Sequence, residues 1–211
     1  MKGRNIMKNF GGPIDPRKTA LLVVDLQNHE ISEDEQRRHP EYVDRVKRQI
    51  VPNVQRLLQA ARSGGVEVMY TTIESLTKDG RDRSLCHRKL IIPKGSWGAQ
   101  VIPEIVPSDD EIVFPKTGSG VFSSTILERV LRNMGIEEVI VVGVLTDQCI
   151  EMALRDGVDR SFHMICVTDA CCAYTEERHD HSLRMQYEAV RQVITDQILP
   201  ELSGKMPARQ S

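Results

Sequence analysis

Three residues of this 211-residue chain carry the groups needed for a nucleophilic hydrolysis: the Cys149 thiol, the Asp25 carboxylate and the Lys116 ammonium. Cys149 ends the run Gly143-Val144-Leu145-Thr146-Asp147-Gln148-Cys149, which reads as a strand turning into a helix. A thiol in the first turn of a helix faces unpaired N–H groups and the positive end of the helix dipole, and both favour thiolate. A neighbouring lysine adds to that bias. An aspartate within reach takes the thiol proton and later delivers it to a leaving amine. Each residue also has an ordinary reading. A cysteine in an α/β core packs as a small hydrophobe, a lysine after a strand is solvated, and an aspartate there opens a turn. Their common placement sets them apart, since each follows an apolar run.

Those runs define the elements that must position the three groups. Short, nearly continuous apolar stretches at 19–26, 66–72, 111–114, 139–144, 163–168 and 192–194 read as strands covered on both faces. Helical spacing fills 40–62, with Pro52 placed to bend it, and recurs at 124–134, 147–156, 177–190 and 196–202. Gly64-Gly65, Gly135 and Gly157 read as helix stops. This alternation predicts one α/β domain, doubly wound, with a mostly parallel six-stranded sheet and helices on both faces. The expected division is an arm at 1–17, the domain at 18–203 and a tail at 204–211. The polar stretch 73–96 is long for a connection and reads as a lid or binding loop. Doubly wound sheets bind ligands at the carboxyl ends of their strands, and that rule gathers Asp25, Gln27, Glu74, Lys116 and Cys149 on one edge.

Composition narrows the function. Lys and Arg total 28 against 30 Asp and Glu, a formal charge of -2, which argues against nucleic acid or a membrane surface as partner. No apolar run approaches the ~20 residues of a membrane span, and residues 1–12 lack the apolar core of a secretory signal. The five cysteines are odd in number and lack disulfide or CxxC spacing, which points to free thiols in a reducing, cytoplasmic setting. A nucleotide site is disfavoured: Lys116 precedes Thr117-Gly118-Ser119-Gly120, the reverse of a phosphate-binding loop, and no GxGxxG follows the first strand. A catalytically silent scaffold stays open as an alternative.

Three stretches, LLVVDLQNHE (21–30), PKTGSGVFSSTIL (115–127) and VVGVLTDQCIEMALRDG (141–157) followed by VTDACCA, resemble the isochorismatase-like cysteine hydrolases. These include nicotinamidases, N-carbamoylsarcosine amidohydrolase, and ureidoacrylate and biuret hydrolases. The resemblance runs through 18–202 and implies a triad of Asp25, Lys116 and Cys149. It also implies a cis peptide between Val144 and Leu145, an oxyanion hole from the N–H groups of Leu145 and Cys149, C–N cleavage through a thioester, and a homo-oligomer, dimer or tetramer. Three departures from the family's pattern stand out. Leu145 stands where relatives usually carry Ala, and Gly120-Val121 where they carry Ser-Ala. The second strand runs into Tyr70-Thr71-Thr72-Ile73-Glu74-Ser75 without the histidine-bearing metal segment of many nicotinamidases, so no metal and no cofactor are expected. The expected substrate is a small ureido or carbamoyl compound, with nicotinamide or an isochorismatase-type substrate as the alternative. Gln27 and Glu74 are expected to bond its N–H groups, Phe122 to form an apolar wall, and Trp97 to roof the pocket. Arg81, with Arg83, Arg88 and Lys89, is the candidate reader of a carboxylate.

Overall fold

In the computed structural model, which describes residues 12–204, the apolar runs form six strands: β1 (Thr19–Val24), β2 (Glu67–Ile73), β3 (Ile112–Lys116), β4 (Glu138–Val144), β5 (His163–Cys172) and β6 (Arg191–Val193). All pair in parallel, in the order β3-β2-β1-β4-β5-β6. The chain winds outward from β1 to β3, then crosses back to start β4 on the other side of β1. Between β1 and β4 the order reverses, and a crevice opens beyond the strand ends there.

The central strands are buried on both faces yet still alternate. Leu21 and Val23 of β1 point into one apolar layer, and Ala20, Leu22 and Val24 into the other. The first layer is closed by α2 (Pro40–Arg45), which follows the short α1 (Glu33–Arg38), by α3 (Val51–Gly64), and by α8 (Thr195–Leu202). The second is closed by α4 (Val121–Ser124), α5 (Leu127–Asn133) and α6 (Glu151–Asp159). Helix α7 (Glu176–Arg184) packs against the turn that precedes α6. No helix among the described residues is long and apolar enough to cross a membrane.

The helix expected at 40–62 is one continuous rod in which a π turn, Val46–Ile50, joins α2 to α3. Pro52 has no N–H to give to the preceding turn, and the wider turn lies just ahead of it. The helix expected at 124–134 is instead two short pieces split at Thr125-Ile126. Gly157 does not end its helix, which runs on to Asp159. A Cβ there would stand 2.2 Å from Met164 Sδ, so the glycine lets α6 lie close on β5. The expected arm falls mostly outside the described residues, as does nearly all of the expected tail.

Candidate active site

Asp25 follows β1 directly, with φ 56°. Asp tolerates this left-handed conformation better than most residues, and such backbone strain is characteristic of functional sites. Its Oδ1 accepts a hydrogen bond from Thr71 Oγ1 of β2 at 2.7 Å. Lys116, the last residue of β3, sits two strands away and reaches past β2. Its Nζ forms an ion pair with Asp25 Oδ2 at 2.7 Å and donates hydrogen bonds to Gly118 O (3.1 Å) and Cys149 Sγ (3.2 Å). Lysine and aspartate are almost fully buried, 0% and 2% exposed.

Cys149 lies in a π turn, Thr146–Ile150, that leads from β4 into α6, and the peptide bond between Val144 and Leu145 is cis. Gly143 makes this turn possible. Its φ is 120°, and a Cβ would fall 2.1 Å from Val24 O, so only glycine lets β4 approach the end of β1. From the far side α7 clamps the turn: Thr146 Oγ1 and His179 Nδ1 are 2.8 Å apart, and Ser182 Oγ donates to Thr146 O at 3.1 Å.

The electrostatics correct one expectation. Burial, and then the adjacent Asp25 carboxylate, push the Cys149 thiol up to about 12, outweighing the opposing pull of Lys116. The resting sulfur is therefore a thiol and not a preformed thiolate. Burial alone would favour loss of the Lys116 proton, but Asp25 and Cys149 overcome it and hold that ammonium above its usual range.

Beside the three groups is a cavity of about 340 Å³ lined by Asp25, Val144, Leu145 and Cys149 at its floor. Leu145 faces it while packing into the first apolar layer. None of the five residues expected to contact substrate lines this cavity. Gln27 is committed to the scaffold: its Nε2 donates to Ile73 O and Gly98 O, and its Oε1 accepts from Ile73 N at 2.7 Å. Glu74 faces a different depression, next to Thr72 and Pro115, and accepts from Gly95 N. Phe122 is buried against Phe162, with ring centroids 5.8 Å apart. Trp97 is 57% exposed, and its carbonyl anchors Asn28 Nδ2. Arg81 is exposed and paired with Asp79 at 3.0 Å. Of the basic run, Lys89 alone reaches the cavity lining, and Arg83 is buried, donating to Glu74 O.

The wall is made by residues to which sequence reasoning gave no role. His29, Glu30, Glu35 and Arg38 come from the turn after β1 and from α1, while Cys86 and His87 come from the long connection. A signal was present in LLVVDLQNHE: a charged Glu30 stands within a few residues of Asp25, on the segment leaving the site. Among the described residues, no three His, Cys, Asp or Glu side chains converge on a metal position.

Residues 19–197 match the isochorismatase domain family. The chain belongs to that family of hydrolases. A cysteine hydrolase from Pseudomonas syringae pv. phaseolicola 1448A is 28% identical, with a TM-score of 0.81 over 92% of this chain and 97% of its own. An isochorismatase-like hydrolase from Alkaliphilus metalliredigens is 26% identical, with a TM-score of 0.72 over 86% and 97%. N-carbamoylsarcosine amidase from Thermoplasma acidophilum is 26% identical, with a TM-score of 0.67 over 85% and 97%. Within the isochorismatase family, then, this chain keeps a thiol, an acid and an ammonium in mutual contact at the switch point of its sheet.

Proposed function

We propose that the protein is a cysteine-dependent amidohydrolase that cleaves a C–N bond of a small non-peptide amide, of the ureido or carbamoyl class. One observation carries this reading: a single buried ammonium, Lys116, touches both Asp25 Oδ2 and Cys149 Sγ. Asp25 takes the Cys149 proton as the sulfur attacks the carbonyl carbon, so charge moves from carboxylate to substrate oxygen. The N–H groups of Leu145 and Cys149 receive that oxyanion, and a well-placed donor of this kind contributes about 3–4 kcal/mol. Collapse expels the amine or ammonia, which leaves with the proton from Asp25, and a thioester remains on Cys149. Asp25 then deprotonates a water that attacks the thioester, and the proton returns to the sulfur. Lys116 keeps a positive charge beside the group that is anionic at each stage. The similarity to N-carbamoylsarcosine amidase supports the carbamoyl class, and that to the Pseudomonas cysteine hydrolase supports the nucleophile.

Ammonia release from a panel of small ureides, carbamoyl compounds and amides, with mass spectrometry for an acyl adduct on Cys149, tests the proposal. Cys149→Ala and Asp25→Asn should each lower turnover by at least about 10³-fold with the circular dichroism spectrum unchanged. Undiminished turnover in Cys149→Ala, or an adduct confined to another cysteine, refutes it.

A further inference from the structure

The cavity lining holds two carboxyl groups that the proposed chemistry does not use: Glu35, which pairs with Arg38, and Glu30. Glu30 lies in the short turn Asn28–Ile31, five residues beyond Asp25, and lines the same cavity as Cys149. Its Oε2 accepts a hydrogen bond from Tyr42 Oη at 2.6 Å. Tyr42 is fully buried in α2, so the phenol fixes one carboxyl oxygen from behind without entering the cavity.

The surrounding charges say what the remaining oxygen would recognise. Lys116 is engaged by Asp25 and Cys149, and Arg38 by Asp34 and Glu35. Lys89 is exposed where it meets the cavity. Burial holds the pKa of His29 and of His87 below the usual range, which disfavours the charged form of both rings. Once ionised, Glu30 offers acceptors on this side of the cavity, and their complement is a hydrogen-bond donor.

We propose that Glu30 is a specificity-determining residue that accepts N–H bonds from the non-scissile end of the substrate, which therefore carries a second amide, urea or amine group there, not a carboxylate or ester. Tyr42 acts through Glu30 as a positioning residue. The inference rests on the amidohydrolase reading of the same site. The titration of Glu30 agrees with it. Burial, with the nearby Asp25 and Glu35 charges, raises its pKa to about 8 against the opposing effects of the Tyr42 bond and Lys116. Tyr174 and Cys172 are the other titratable groups near it. A bound N–H donor stabilises the ionised carboxylate, so affinity should rise as pH passes through about 8.

Malonamide, methyl malonamate and malonamate form a size-matched set in which one end is always a primary amide and the other is an amide, an ester or a carboxylate. Their binding is measured by calorimetry or NMR titration to Cys149→Ala protein, with and without Glu30→Gln. Malonamide should bind about tenfold or more tightly than malonamate, and Glu30→Gln should abolish both that ratio and the rise with pH. Tyr42→Phe, on the same background, should weaken malonamide several-fold while keeping the order of the three. Equal selectivity with and without Glu30→Gln, or no binding of any of the three, overturns the assignment. Turnover by the intact enzyme is read separately. Glu30-dependent binding without turnover of any amide on the panel refutes the hydrolase reading and leaves the Glu30 assignment standing, whereas turnover with Glu30-independent selectivity does the reverse.

Discussion

The floor and the side wall of the cavity are built on different kinds of backbone. Asp25, Lys116 and Cys149 stand at or just beyond the ends of β1, β3 and β4, and their side chains bond to one another in a buried cluster. His29, Glu30, Glu35 and Arg38 come from a short turn and a six-residue helix, and His87 from a turn in the long connection. Their bonds run mostly sideways, away from the floor: Arg38 to Glu35, and His87 to Ser84 and Ser119. Sheet register fixes the floor, because Ile73 pairs with Lys116 and Val24 with both Thr71 and Gly143. Moving one floor residue would break a ladder, whereas the wall tolerates exchange at the cost of local contacts.

The largest expected effect breaks the floor. Lys116→Met fills a similar volume with an apolar side chain and leaves Asp25 buried without its partner. Removing one member of a buried ion pair typically costs about 3–5 kcal/mol. Denaturant unfolding should show a loss on that scale, together with near-complete loss of turnover. A stable, active Lys116→Met protein would mean that the floor is not the electrostatic unit described above.

A smaller effect separates the two regions by pH. The Glu30 pKa is raised from 4.5 to about 8 in the folded protein. Between those values the unfolded chain has released a proton that the folded chain retains, so this group makes stability fall as pH rises across the window. The floor acts elsewhere: Cys149 is raised from 9.0 to about 12 and Lys116 above 10.5, so their corresponding losses come only in alkali. Glu30→Gln should flatten the decline between pH 4.5 and about 8 while leaving the alkaline decline in place. Denaturation midpoints measured across pH check this, and an unchanged profile would remove Glu30 as the neutral-range titrating group.

The same division explains what could be read before any coordinates. A strand buried on both faces leaves a continuous apolar signature, and the polar residue that ends it is visible in the chain, as at Asp25, Lys116 and Cys149. Their mutual contact depends on the strand order, which no stretch of the chain spells out; the resemblance implied the triad without it. The wall carries no such periodicity. Gln27 looked like a substrate contact because it is polar and near Asp25, yet its carboxamide is spent tying Ile73 and Gly98 together. Glu30 and Tyr42 are twelve residues apart and meet only because a turn and α1 fold the chain back. The thiolate expected from the helix start also gave way to burial, a property of the assembled core and not of the local sequence.

The smallest expected effect lies on the long connection beyond the wall. Arg81 was the sequence candidate for reading a substrate carboxylate, but its guanidinium pairs with Asp79 at 73% side-chain exposure and lies off the cavity lining. An exposed pair of this kind contributes about 0–1 kcal/mol, since water and salt screen it. Arg81→Ala should therefore change stability by no more than about 0.5 kcal/mol and leave both kcat and KM within about twofold of the parent. A large rise in KM confined to anionic substrates would place Arg81 over the cavity during turnover and extend the wall to that part of the connection. The expected null result instead bounds the wall at the His87 turn and leaves selection of the substrate's far end to Glu30.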